Sequence, residues 1–303
     1  MSFTASYRKL YESGELGNRV KALYGLEKEC ALCPRNCRVK RFEGEKGVCG
    51  ADSTLYVASA FPHFGEEPPL TGVYGSGTIF LSHCNLKCVF CQNYDISHGG
   101  EGQPVTAREL GVMMLHLQSQ GCHNINFVTP THYAPQIVEG IYEGARLGLE
   151  TPIVWNCGGY ESLEVIRLLE DVVDIYMPDI KYSATESAKR YSKAPDYPQV
   201  IKQVLKEMFR QVGDLELDFR GIARRGLLIR HLVMPNNAAG TEDVLKFIAN
   251  ELSRKSYVNI MDQYRPLYKA FRYPQIARPI TRDEYESAIS IAKQVGLSRG
   301  FTG

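Results

Sequence analysis

Long apolar runs are missing from this sequence. Nowhere in its 303 residues do eighteen consecutive apolar side chains occur, which excludes a helix able to span a bilayer. The opening MSFTASYRKLYESGELG carries no apolar core of a secretory signal, so a cytoplasmic chain without a membrane partner is expected. An excess of either charge is missing too: 35 basic and 34 acidic side chains leave +1. No global field therefore draws in a phosphate backbone, and nucleic acid is not an expected partner. The one local basic run, residues 223–231 (ARRGLLIRH), reads as a solvated surface. Tryptophan occurs once, but hydrophobic side chains make up 44% of the chain, an ordinary globular share that excludes fibrous and disordered classes. Cysteines are not evenly paired: there are nine, and Cys30, Cys33, Cys37, Cys49, Cys84, Cys88 and Cys91 crowd into two short segments. That spacing is poor for an extracellular disulfide framework and suits metal-bound thiolates in a reducing compartment.

What is present is alternation. Short helices are expected between residues 5 and 28, broken near Gly14 and Gly17, followed by the first cysteine cluster and a Pro/Gly-rich spacer over 61–77. Strands are then predicted over 77–82, 124–129, 152–156, 174–179, 227–234 and 257–263. Helices are predicted over 107–120, 134–147, 161–170, 197–212, 241–252 and 282–295, with Thr241 and Thr281 as N-caps. Repeated strand-helix units force parallel neighbours and right-handed crossovers. The pattern divides the chain into a cysteine-rich N-terminal extension over 1–72 and an α/β domain over 73–303. Periodicity leaves a closed barrel, a partial barrel and an open sheet all available to that domain.

The sharpest chemical signal follows the first strand of that series, in FLSHCNLKCVFCQNYDIS, where Cys84, Cys88 and Cys91 stand as C-x3-C-x2-C. Structural zinc closes its coordination shell with four ligands, and an electron-transfer cluster takes four cysteines. Three thiolates on a four-iron cluster leave one iron open to a small molecule, so the spacing points to cofactor or substrate chemistry. In the N-terminal segment ECALCPRNCRVKRFEGEKGVCG, Cys30, Cys33, Cys37 and Cys49 supply four thiolates, enough to close a shell. Zinc and an iron–sulfur cluster both fit that set, and spacing does not separate them. Cys122 and Cys157 stand alone and read as small buried hydrophobes.

With Phe90 before Cys91, the triplet resembles the motif of the radical S-adenosylmethionine superfamily, and the likeness extends over about residues 73–264. Within it the chain is most similar to the pyruvate formate-lyase activating-enzyme-like group, in particular members with a cysteine-rich N-terminus. The resemblance implies a partial (β/α)6 barrel and a [4Fe–4S] cluster on Cys84, Cys88 and Cys91. It further implies that S-adenosylmethionine binds the open iron and is cleaved by one electron to methionine and a 5′-deoxyadenosyl radical. A one-electron reductant such as flavodoxin or ferredoxin is implied as a partner, and a glycyl-radical protein as one class of substrate. Another macromolecule or a small metabolite is the alternative substrate, and a non-catalytic metal-binding interaction protein the alternative of another class.

The same resemblance assigns roles at the later strand ends. Where the family has a Gly-Gly-Glu-Pro turn at the cofactor's amino group, this chain has Thr129-Pro130-Thr131-His132, whose carbonyls and hydroxyls can accept the same bonds. Asn156 stands at an activase aspartate, and Met177, Asp179 and Lys181 match its Met-x-Asp-x-Lys; in activases the methionine main-chain oxygen and the two aspartates hold a monovalent cation beside the cofactor carboxylate, and Asp179 with Lys181 is expected to serve cofactor and substrate. Arg230 matches an arginine near the cofactor, with His231 on the opposite face. Tyr264 falls where a substrate-side histidine would be, as a relay or a packing group.

Overall fold

The computed structural model describes residues 3–301. Helix α1 (Tyr7–Glu12) and helix α2 (Glu15–Glu27) come first, and a loop with the four N-terminal cysteines leads to strand β1 (Tyr56–His63). A single turn, α3 (Pro68–Thr71), precedes β2 (Ser76–Leu81); after it come α4 (Tyr94–Ser97), β3 (Gln103–Pro104) and α5 (Ala107–Ser119). The alternation continues as β4 (Ile125–Val128), α6 (Ala134–Arg146), β5 (Ile153–Cys157), α7 (Leu163–Leu168), β6 (Ile175–Pro178), α8 (Thr185–Ser192) and α9 (Tyr197–Val212). It closes with β7 (Glu216–Leu217), β8 (Ala223–Leu232), α10 (Thr241–Phe247), β9 (Tyr257–Met261) and α11 (Arg282–Gln294).

The result is an α/β fold around a mostly parallel sheet, in the order β3-β1-β2-β4-β5-β6-β8-β7, with β9 also on β8. Strands β2, β4, β5, β6, β8 and β9 pair in parallel, while β1, β3 and β7 add antiparallel pairings. All positions of β5 and β6 are buried, as expected of strands covered on both faces by crossover helices. Parallel register sets Val128 beside Asn156 and Asn156 beside Met177, and a further bridge sets Asp179 against Arg230. The carboxyl ends of successive strands thus bring residues distant in sequence onto one rim.

Four expectations change. The break between the first helices falls at Ser13 and Gly14, with Gly17 inside α2, because Gly14 alone takes the left-handed conformation there (φ 79°). Thr241 is the first helical residue rather than the cap; Gly240 precedes it, and the Thr241 hydroxyl meets His231 Nε2 at 3.0 Å. The run 223–231 is not a solvated surface but strand β8, buried at Ala223, Gly226–Ile229 and His231. Its arginines are taken up by partners: Arg224 with Asp218, Arg225 with Ser6, and Arg230 with groups at the sheet's rim. Residues 61–77 hold the end of β1 and all of α3, so the spacer is in part structured.

Candidate active site

The loop from Ser82 to Cys91 is fixed by its apolar residues. Leu86, Val89 and Phe90 are buried, and the Val89 N–H donates to the Tyr191 carbonyl at 2.8 Å. Asn85 holds the turn from within, its amide donating to the Tyr160 carbonyl at 2.6 Å. With these anchors inside, Cys84, Cys88 and Cys91 all face one cavity of about 410 Å³ at the carboxyl ends of the strands, where ligand sites of α/β folds gather. Cys88 Sγ lies 3.0 Å from Ser192 Oγ and Cys91 Sγ lies 3.1 Å from Ser97 Oγ. Burial, then the charges of Cys88 and Cys91, push the Cys84 thiol up to about 12. Burial raises the Cys88 thiol as well, so these two thiols favour ionisation only beside a positive centre.

The same cavity carries a charged cluster. Arg230 donates through Nε to Asp179 at 2.7 Å and through Nη2 to Asn156 Oδ1 at 2.7 Å, and its Nη1 lies 3.4 Å from Glu66. Lys181 Nζ donates to the other oxygen of Asp179 at 2.5 Å. Burial alone would raise the Asp179 carboxyl, but the neighbouring Arg230 and Lys181 outweigh it and hold it below the ordinary range. Lys181 is displaced upward, since Asp179 and then Cys88 overcome its desolvation. A glycine makes this arrangement possible: Gly159 has φ 75°, and a Cβ there would lie 2.6 Å from the Asp179 carbonyl oxygen. Asp179, Lys181, Arg230 and Asn156 line the same cavity as the three cysteines. Among the described residues, no group of three His, Cys, Asp or Glu side chains converges on a single metal ion. Thiolates spread around a cavity suit a cluster, in which each binds its own iron.

Residues 78–248 match the Radical SAM superfamily, over more than half of the chain. The chain belongs to that superfamily. It is also 35% identical over 289 residues to an uncharacterized protein of Methanocaldococcus jannaschii, the match covering 92% of this chain and 78% of that protein. Radical SAM proteins are enzymes that work with a [4Fe–4S] cluster and S-adenosylmethionine, and the donor set fits both groups: three thiols and two fixed cations line one cavity.

The cavity gathers most, not all, of the residues singled out in the sequence. Phe90 and Thr129 line it. Pro130, Thr131 and Met177 do not, and Thr131 is spent elsewhere: its buried hydroxyl donates to Glu161 Oε1 at 2.5 Å. Tyr264 contributes its ring to the wall, 5.7 Å from Phe90, while its hydroxyl donates to the Ile276 carbonyl at 2.7 Å, which makes it a packing group. His231 turns away, with Nδ1 2.8 Å from the Ile180 carbonyl oxygen. Cys122 and Cys157 are buried free thiols. Glu66 was missed. It lines the cavity, accepts from Asn126 Nδ2 at 3.0 Å and pairs with Arg230. The only signal for it was a carboxylate pair, Glu66-Glu67, ahead of two prolines that open a helical turn.

Proposed function

We propose that this chain is an activating-enzyme-like radical SAM oxidoreductase that cleaves S-adenosylmethionine and abstracts a hydrogen atom from a segment of a partner protein of the glycyl-radical kind. The observation that carries the reading is the meeting of Cys84, Cys88 and Cys91 with Arg230, Asp179 and Lys181 around one cavity. When bound, the cluster and S-adenosylmethionine would supply the one-electron chemistry. The three thiolates hold the cluster. Arg230 and Lys181 face the cofactor carboxylate, and Asp179 and Asn156 fix the direction of the guanidinium, as planar bidentate recognition requires. Both oxygens of Asp179 are occupied by these two cations, so we assign them the place of the monovalent cation. Thr129 and the neighbouring backbone accept from the cofactor ammonium, and Phe90 and Leu232 exclude water from the cavity.

The activating-enzyme likeness rests on Met177, Asp179 and Lys181 at the end of β6. A protein substrate is favoured by the cavity's edge, where His63 and Gly65 line the wall and Phe64 between them is 63% exposed. An apolar group left in water beside a site suits a peptide contact. A flavodoxin or ferredoxin is the electron donor in this reading. Anaerobically reconstituted protein given dithionite and S-adenosylmethionine is expected to release 5′-deoxyadenosine. Replacing Cys84, Cys88 and Cys91 together by Ala is expected to abolish that release; undiminished release from the triple variant overturns the assignment.

A further inference from the structure

We infer that Cys30, Cys33, Cys37 and Cys49 hold a second iron–sulfur cluster, seated against the loop that carries Cys84, Cys88 and Cys91. All four are free thiols; Cys30, Cys33 and Cys49 are buried, and Cys37 is half-buried. Helix α2 ends at Glu27, and the chain then folds back on itself, the Cys30 N–H donating to the Val39 carbonyl at 3.0 Å and the Arg38 N–H to the Cys30 carbonyl at 3.1 Å. Backbone donors already point at the sulfurs: the Val48 N–H lies 3.5 Å from Cys37 Sγ, and the Ala51 N–H 3.5 Å from Cys49 Sγ. Gly47 packs closely on the sulfur: a Cβ there would sit 3.0 Å from Cys37 Sγ and push it aside. Amide donors aimed at sulfur stabilise thiolates and tune clusters.

Zinc would draw its four thiolates onto one point at about 2.3 Å. A cubane instead binds each thiolate at a separate corner. The module is also tied to the first cysteine loop. Arg35, between Cys33 and Cys37, donates to the Asn85 carbonyl at 3.1 Å, to the Ser192 carbonyl at 3.2 Å and to the Lys193 carbonyl. Lys87, between Cys84 and Cys88, donates in return to the Cys49 carbonyl at 3.1 Å. Each loop is thus held by a cation from the other. Ser192, whose carbonyl accepts from Arg35, carries the hydroxyl that meets Cys88 Sγ. A second one-electron centre in this position would sit one loop away from the first cysteine set.

The test is metal and sulfide analysis of the anaerobically reconstituted full chain, beside the Cys84→Ala, Cys88→Ala, Cys91→Ala variant. We expect about eight irons and eight sulfides in the natural chain and about four of each in the variant. The reduced variant should give an electron paramagnetic resonance signal that S-adenosylmethionine leaves unchanged, since a four-cysteine cluster has no open iron. A variant holding one zinc, or no metal, overturns the inference. Should the variant not fold, Cys33→Ser with Cys37→Ser replaces it: iron falling from about eight to about four, with a remaining signal that shifts with S-adenosylmethionine, is expected, and an iron content unchanged from the natural chain overturns the inference. About four irons in both the natural chain and the triple variant would sink the assignment of the first cluster and leave the second standing.

Discussion

Arg230 concentrates the electrostatics of the site. It is the cation shared by Asp179, Asn156 and Glu66, and removing it leaves two carboxylates facing a cofactor that brings a third. Arg230→Met is therefore expected to weaken S-adenosylmethionine binding at least tenfold, about 1.4 kcal/mol, with the cluster's absorbance retained. Asp179→Asn keeps the shape of the acceptor and is expected to weaken it less; equilibrium titration of the two variants checks the order. Glu161 offers a different measurement. Loss of water pushes its buried carboxyl up to about 7, against the downward pull of bonds from Thr131 and Trp155. A folded-state value raised above the ordinary 4.5 means that the folded chain holds the extra proton, so the contribution is complete below that pH and is lost as pH rises through 7. Between those limits the natural chain is expected to lose up to ~3 kcal/mol relative to Glu161→Gln, read as denaturation midpoints on either side of the window.

At the scale of elements, the helices legible in the sequence were those with a spaced apolar face, and α11 carries end chemistry besides. Helix α11 begins at a capping box: the Thr281 hydroxyl accepts from the Glu284 N–H at 3.2 Å, and Glu284 accepts from the Thr281 N–H at 2.8 Å. Thr281→Ala is expected to cost about 1 kcal/mol in unfolding free energy, and Thr281→Ser far less. The elements that escaped lack an apolar period. Helix α8, TESAKRYS, buries only Ala188, Tyr191 and Ser192, yet it supplies the hydroxyl beside Cys88. Strand β1 is half-exposed along most of its length and holds Pro62, features of a strand outside the buried parallel set. It extends the sheet by antiparallel pairing to β2, and residues just beyond its end bring Glu66 to the site.

At the scale of the molecule, no helix among the described residues is long and apolar enough to cross a membrane. Buried residues on both sides of position 72 belong to one cluster, running from Tyr7, Leu16 and Leu23 through Ile79 and Phe127 to Leu297. Helices α1 and α2 pack on α6, where the Tyr24 hydroxyl donates to Glu139 at 2.5 Å. A fully buried Leu23 in such a shared core makes Leu23→Ala worth about 2–5 kcal/mol. The loss is expected to appear in a single unfolding transition; a separate, earlier transition confined to the N-terminal region would show that it folds on its own.

The sequence by itself determined the alternation of strands and helices, the parallel pairing that follows from it, and the open triplet of Cys84, Cys88 and Cys91. Each of these is local, written in a spacing of a few residues. Only the tertiary structure decided which polar groups meet. Glu66 reaches Arg230 across 164 positions of sequence, and Arg35 reaches Ser192 across 157. It also decided that Thr131 serves Glu161 instead of the cavity, and that the basic run 223–231 lies within the sheet. The physical reason is that a hydrogen bond or ion pair depends on distance in space, which parallel register and crossover packing set, whereas periodicity reports only which face of one element is apolar.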